Sequence, residues 1–306
     1  VRTDPIIMVD NLVVVGVGLI GGSFARALKK AGAVRRIVGI ERSPAYGERA
    51  LALGIVDEVA TSFDAVAGAD LVLLAAPVAQ TRRILAALAP HLGPGTVVTD
   101  AGSTKADVVA AARAALGGKV AQFVPGHPIA GRETNGPDAA IDDLYIGKKF
   151  VLTPLPENGA AQVERVAGAW RACGAVIHRL TPEEHDKVFA AVSHLPHLLA
   201  YALVDDIANK AHADLLFQYA ASGFRDFTRI AGSSPEMWRD ISLANQGALL
   251  AELDAYMTQL AHLRARLAAG DGATLEAVYG NAQRARRQWI EAIEAAEAPQ
   301  PIDNAE

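Results

Sequence analysis

The stretch Val13–Ser23, VVVGVGLIGGS, constrains this chain more than any other. Three apolar β-formers run into Gly16, Gly18 and Gly21, spaced G-x-G-x-x-G, and the helix-like run SFARALKKAG follows. Between a strand and a helix each glycine has its own reason: the first for the tight turn, the second for backbone approach to a pyrophosphate, the third for close helix–strand packing. Phosphates would then sit on free N–H groups of the helix start, around Leu19, Ile20 and Gly21. A second strand, RIVGIE, ends in Glu41, 20 residues past Gly21, where an acid holds an adenine ribose hydroxyl. The pattern predicts a dinucleotide site. The bland alternative is a tight βα turn without a ligand. The Glu41 carboxylate would repel a 2′-phosphate and so favours NAD, while Arg42 beside it keeps NADP compatible.

Length and composition bound the rest. The 306 residues give room for two domains. A net charge of −5 gives no general pull toward nucleic acid or membrane. The single cysteine, Cys173, excludes an intrachain disulfide and makes a cysteine-rich metal site implausible. The N-terminus VRTDPIIMVDN carries Asp4 and Asp10 and does not read as a signal peptide, and no uninterrupted apolar stretch is long enough to span a bilayer. A cytoplasmic protein is expected, with no metal, no nucleic acid and no membrane partner.

The first half alternates strands and helices. Strands are expected at Leu12–Val15, Arg36–Glu41, Leu71–Ala75, Thr96–Thr99 and Val120–Val124, with helices at Gly22–Ala31, Pro44–Leu53, Gln80–Leu88 and Thr104–Leu116. Continuous apolar strands in a βαβ rhythm indicate a parallel sheet covered on both faces, a Rossmann-type doubly wound α/β fold. Phe150–Leu155 and Ala175–Leu180, around a helix Gly159–Cys173, read as two more strands of that sheet. At Thr181-Pro182 the rhythm changes: Thr181 suits an N-cap and Pro182 the first helical position. Val188, Val192, Leu195, Leu199 and Leu203 fall on one helical face, and Pro196 should kink that helix. A helix Pro235–Ala244 follows. Then Leu249, Leu253, Tyr256, Leu260, Leu263 and Leu267 step by 4, 3, 4, 3 and 4, a heptad seam. A last helix covers Ala273–Ala295, and the tail APQPIDNAE reads as frayed. The expectation is an α/β domain over 1–181 and an all-α domain over 182–306. The seam serves pairing of subunits or packing within one chain.

Ligands of open α/β sheets bind beyond the carboxyl ends of the strands. Besides the glycine loop and Glu41, that places Ala76 and Pro77 along a cofactor, or in an ordinary loop. In Asp100-Ala101-Gly102-Ser103-Thr104-Lys105, Ser103 or Thr104 caps the next helix, or the loop sets a hydroxyl beside the nicotinamide. In Gly126-His127-Pro128-Ile129-Ala130-Gly131-Arg132-Glu133, proline and glycine hold His127 in an extended, partly exposed turn, which suits a base of near-neutral pKa. Ser193 and His197 are four apart and share a helix face; metal ligation by His194 and His197 has little support. Gly223–Arg229 joins aromatics with Arg225 and Arg229, residues able to grip a carboxylate bidentately. Trp238 has no role that spacing assigns.

The chain resembles the prephenate dehydrogenase family, tyrosine-biosynthetic enzymes acting on prephenate, arogenate or both. The resemblance runs from Val13 to about Trp289 and rests on VVGVGLIGGSFA, DAGSTK, GHPIAGRE, SHLPH, GFRDFTRIA and PEMWRDI in the family's order. It implies NAD-dependent oxidative decarboxylation, with His127 taking the 4-hydroxyl proton, Ser103 beside it and Arg229 holding the ring carboxylate. It further implies His197 and Ser193 near substrate or cofactor, Glu133 shaping the site, Trp238 reaching from a partner subunit, and a homodimer through the helical domain. Arg132 stands where relatives often carry Thr, an extra cation for a second carboxylate. Rival readings are an arogenate-specific enzyme, a β-hydroxyacid dehydrogenase, whose helical-domain lysine finds His194 and His197 in its place here, and a non-catalytic dinucleotide sensor.

Overall fold

The computed structural model describes residues 8–297. The expected absence of a signal peptide and the frayed tail fall partly or wholly on residues 1–7 and 298–306, outside the described residues. Among the described residues nine strands form two sheets. β1 (Val9–Val15), β2 (Val34–Ile40), β3 (Glu58–Ala60), β4 (Leu71–Leu74), β5 (Val97–Asp100) and β6 (Phe123–Val124) make an all-parallel sheet in the order β3-β2-β1-β4-β5-β6. β7 (Gly126–Pro128), β8 (Lys149–Leu152) and β9 (Val176–Arg179) make a second sheet, in which β7 runs antiparallel to β8 and β9 parallel to it.

Both faces of the first sheet are covered, as its unbroken apolar strands require. Leu12, Val14, Leu71 and Leu73 point into a core shared with Phe24, Leu28 and Trp170, while Val13, Val15, Val72 and Leu74 point into another with Ile84, Leu85, Val108 and Phe123. The covering helices are α1 (Leu19–Lys30), α2 (Pro44–Ala52), α3 (Thr81–Leu88), α4 (Ala106–Leu116) and α5 (Ala160–Ala172). Two expectations are corrected here. The strands near Phe150 and Ala175 do not extend the first sheet, and His127 lies on strand β7 rather than in a turn. The reason is local packing. Trp170 of α5 stacks on Phe150 at 4.2 Å, and a Cβ at Gly126 would sit 2.1 Å from that Phe150 ring. Glycine lets β7 lie on β8 there, pairing His127 with Val151.

After Thr181, which forms a capping box with Glu184, come α6 (Pro182–Phe189), a π turn over Ala190–His194, and α7 (Leu195–Ala208). The π turn sits where a kink from Pro196 was expected and places the widened turn before the proline. Val188 and Val192 are exposed, so the predicted apolar face is buried only in part. Pro182–Ala208 is long enough to cross a membrane and holds an 18-residue window of mean hydropathy 1.3, a run interrupted by His194, Pro196 and His197. Its buried His185, Asp186 and His194, however, are core positions of this fold. α8 (Ala213–Gln218) and α9 (Ser222–Thr228) were not expected; α10 (Pro235–Ala244) was, with the same bounds. α11 (Gln246–Ala268) carries the heptad and α12 (Gly272–Glu297) ends the described chain. Contacts divide the chain into two compact units, one reaching Leu249 and one starting at Leu250. The first holds both sheets and α1–α10. In the second, Leu260 and Leu267 of the seam are exposed.

Candidate functional site

The glycine loop has the geometry its spacing predicts. Gly16 has φ +92°, a conformation that favours glycine. A Cβ at Gly21 would lie 2.2 Å from the Gly16 carbonyl oxygen, so helix and turn meet there. At Gly18 a Cβ would meet nothing within 4 Å: the protein leaves that space open. α1 begins at Leu19, three residues before the expected Gly22, and no side chain caps it. Its first N–H groups, those of Leu19, Ile20 and Gly21, are therefore available to an anion. Glu41 follows β2 at the cradle's edge; its carboxylate accepts from Val17 N–H at 3.0 Å and from Ser43 N–H at 3.1 Å. Arg42 is exposed, and past the end of β4 Ala76 is half-buried and Pro77 exposed. An uncapped helix start, open space over the second glycine and an acid beside the loop fit a dinucleotide.

Asp100, at the end of β5, organises the next layer. It is buried and pairs with the buried Lys105 ammonium, and it accepts from Gly102 N–H at 2.9 Å and Gly126 N–H at 3.0 Å. These bonds fix the Ser103 loop to the start of β7. Neither Ser103 nor Thr104 caps α4, so the capping alternative is corrected: the helix starts at Ala106 with no side-chain bond from its N-cap, Lys105. The cap comes from afar. Asp186 of α6 accepts from Lys105 N–H and Ala106 N–H, both at 2.8 Å, one on each oxygen. A carboxylate at a helix N-terminus gains from the macrodipole as well as the hydrogen bonds.

The same aspartate reaches His127. His185 Nδ1 lies 2.8 Å from Asp186 Oδ1, and His185 Nε2 lies 2.9 Å from His127 Nδ1. Phe189, one turn further along α6, packs its ring 5.0 Å from that of His127 and 4.5 Å from that of His185. Burial pushes the His127 pKa well below the ordinary histidine value, and the neighbouring His185, Lys105 and His194 add to it. Burial lowers His185 too, against the opposing pull of Asp186. For Asp186 burial alone would raise the pKa, but the bonds from His185, Ala106 and Lys105 outweigh it and hold the carboxyl low.

A second group adjoins. His194, in the π turn, is buried; Asn245 Nδ2 donates to its Nδ1 at 3.1 Å and to the Asp186 carbonyl at 2.7 Å. Burial lowers the His194 pKa to about 4. His197 Nδ1–H donates to the Ser193 carbonyl at 2.8 Å, so its Nε2 is left as the free nitrogen. Its ring stacks on Trp238 at 3.5 Å and 19°. Trp238, expected from the resemblance to reach from a partner, here packs on its own chain. Burial lowers the His197 pKa, and Arg229 contributes through its charge. Arg229, just after α9, is exposed and hydrogen-bonds Glu133, whose carboxyl is held low by its own backbone N–H and then by Arg229. Arg132 is exposed and makes no hydrogen bond among the described residues.

The structure thus joins His127 and the Ser103 loop through the Asp100 hub, pairs His197 with Trp238, and pairs Arg229 with Glu133. Sequence reasoning missed His185, Asp186 and Asn245. The available signal was Phe189 four residues after His185, a buried face on a helix whose first turn otherwise reads as solvated. Among the described residues no group of three or more His, Cys, Asp or Glu is placed to hold a metal ion.

Fold and cradle define a Rossmann-type nucleotide-binding protein with an appended helical segment. Residues 24–179 match the family model for the prephenate dehydrogenase nucleotide-binding domain, and residues 181–280 that for the prephenate dehydrogenase dimerization domain. The chain belongs to the prephenate dehydrogenase family. It is 40% identical to a prephenate dehydrogenase of Bacillus subtilis over 84% of this chain and 70% of that one. It is 37% identical to a cyclohexadienyl dehydrogenase of Zymomonas mobilis over 90% and 94%. Its fold matches the crystal structure of the A. aeolicus prephenate dehydrogenase in complex with hydroxyphenyl propionate and NAD+, with TM-score 0.85 and 38% identity over 91% of this chain and 98% of that one.

Proposed function

We propose that the protein catalyses NAD-dependent oxidative decarboxylation of prephenate to 4-hydroxyphenylpyruvate, a step of tyrosine biosynthesis, with arogenate as the alternative substrate of the same site. The observation that carries this is His127: its Nδ1 is engaged by His185, and its Nε2 makes no hydrogen bond among the described residues. A neutral imidazole with one nitrogen held and the other free is a general base. Its lowered pKa keeps it neutral at ordinary pH.

Gly16, Gly18, Leu19, Ile20 and Gly21 hold the pyrophosphate, Glu41 the adenine ribose, and Ala76, Pro77 and Ser103 line the path to the nicotinamide. When bound, NAD supplies the acceptor for the hydride leaving ring C4. His127 Nε2 takes the proton of the 4-hydroxyl. The C1 carboxylate departs as carbon dioxide, its bonding pair making the ring aromatic, and His127 returns its proton to the ring oxygen. Arg229 holds the ring carboxylate. Its bond to Glu133 is exposed to solvent, where water screens such pairs and they add little, so an incoming carboxylate displaces it readily. Ser193, His197 and Trp238 form the opposite wall. Arg132 adds positive charge, which favours the keto acid prephenate over the ammonium-bearing arogenate.

We assign residues 1–181 to cofactor binding and 182–306 to substrate binding and homodimerisation, supported by the two family matches and the exposed seam leucines. A cytoplasmic location fits the lone, buried Cys173. The test is nicotinamide reduction by the purified protein, with prephenate and arogenate each offered NAD and NADP. Fast turnover of prephenate with NAD is expected. No turnover of either substrate with either cofactor refutes the proposal.

A further inference from the structure

We propose that His185 is a positioning residue: held by Asp186, it fixes His127 in the tautomer whose Nε2 is bare and able to accept a proton. This rests on the reading of His127 as the base. The argument follows the protons along the chain of bonds. An ionised carboxylate only accepts, so His185 Nδ1 carries the hydrogen in its 2.8 Å contact with Asp186 Oδ1. A neutral His185 then presents a lone pair at Nε2, and across 2.9 Å the His127 Nδ1 must be the donor. His127 Nε2 is left without hydrogen. When it accepts the substrate proton, the resulting imidazolium keeps its Nδ1–H on His185, two bonds from a fixed negative charge. This is the logic of an orienting acid behind a base, with a second imidazole inserted between them.

The surroundings are built to keep the relay in this form. Asp186 cannot turn away, because its oxygens accept from the Lys105 and Ala106 N–H groups at the start of α4. It stays ionised, its pKa held low by those bonds and by His185. Phe189 lies edge-on to the His127 ring and tilted against that of His185, an apolar cover beside their 2.9 Å contact. Lys105 disfavours positive charge on both imidazoles and His194 disfavours it on His127, while Asp100, the partner of Lys105, favours it on His185. A protonated His185 would donate to His127 and force the opposite tautomer, which has no base at Nε2.

Two experiments test this. In the wild-type protein labelled with 15N-histidine, the His127 signals, assigned by their loss in H127N, should show Nδ1 protonated and Nε2 bare at pH 7.5. Finding the hydrogen on Nε2 overturns the proposal, and this measurement needs no variant to fold. In steady-state kinetics with prephenate and NAD, His185→Leu should lower kcat by about 100-fold with KM changed less than about threefold. His185→Gln, whose amide oxygen comes near the position of the ring Nε2, should recover kcat to within about tenfold of wild type. A kcat within about threefold of wild type in H185L, or an H185Q variant as impaired as H185L, overturns the proposal. His127→Asn separates the two levels. If H127N is inactive while H185L is unimpaired, the relay alone falls; if H127N retains full turnover, the base reading falls and the relay with it.

Discussion

His194 should make the folded chain sensitive to acid by an amount that can be worked out beforehand. Its ring is 1% exposed and its pKa is lowered to about 4 from an ordinary 6.5, chiefly by burial. Below pH 6.5 the unfolded chain takes up a proton here that the folded chain refuses, so acid favours unfolding. The contribution of His194 is whole above about pH 7, falls as pH drops through 6.5, and is lost once pH passes the folded pKa. With those two values the loss is about 2 kcal/mol at pH 5 and about 3 kcal/mol at pH 4, relative to pH 7.5. His194→Asn removes the titration while keeping an oxygen to accept from Asn245. Urea unfolding of wild type and variant, at equal protomer concentration and at pH 7.5, 5 and 4, reads the difference. Wild type should be the more stable at pH 7.5, and its lead should shrink by about 3 kcal/mol at pH 4. A lead constant to within about 0.5 kcal/mol over that range refutes the reasoning, because the remaining lowered histidines are common to both proteins.

Further outcomes follow from other parts of the site. Gly18→Ala should leave folding stability unchanged and weaken NAD binding by about tenfold or more in calorimetry, since its Cβ enters the space a phosphate needs, whereas Gly21→Ala should destabilise the fold by about 2 kcal/mol or more through the clash with the Gly16 carbonyl. Arg229→Ala should lower kcat/KM for prephenate by about 30-fold or more, while Glu133→Gln shifts KM by no more than about fivefold in the same assay. Asp186→Ala should cost about 3 kcal/mol in chemical denaturation, because the Lys105 and Ala106 N–H groups lose their acceptor in a buried place. Replacing both Leu260 and Leu267 by Asp should shift a dimer toward monomer in analytical ultracentrifugation without altering the circular dichroism of the first unit.

The first sheet and its cradle were legible because their determinants are local. The glycines, the strands before them and Glu41 sit within one βαβ unit, and the periodicity of that unit fixes its geometry. The second sheet was not. Phe150–Leu152 is an apolar run like those of the first sheet, and nothing in its spacing announces that a three-residue strand at Gly126 will pair with it in the opposite direction. His127, Arg229, His197 and Ser103 stood out by residue type and motif. His185 and Asp186 did not, since EEHDK on the first turn of a helix reads as a polar, solvated surface. Their partners lie 58 residues away for His185 and 81 for the Lys105 contact of Asp186, distances over which pattern carries no information. Ser103 and Thr104 misled for the complementary reason: a hydroxyl before a helix is the usual local cap, and a distant carboxylate took the place.

The hydrogen bonds from Val17 and Ser43 to Glu41 also bear on how tightly a cofactor can be held. A free glutamate side chain visits many rotamers, and a ligand that needs one of them must bear the loss when it binds, about 0.5–1.5 kcal/mol for such a side chain. Glu41 has already surrendered that freedom when the chain folds, to the very loop that receives the phosphates. Under the proposed reading the ribose meets an acid already in place, and the two ends of the adenosine diphosphate half are measured against a single rigid ruler. A shorter Asp at this position would lose both anchors at once, so the selectivity it confers would blur along with the affinity.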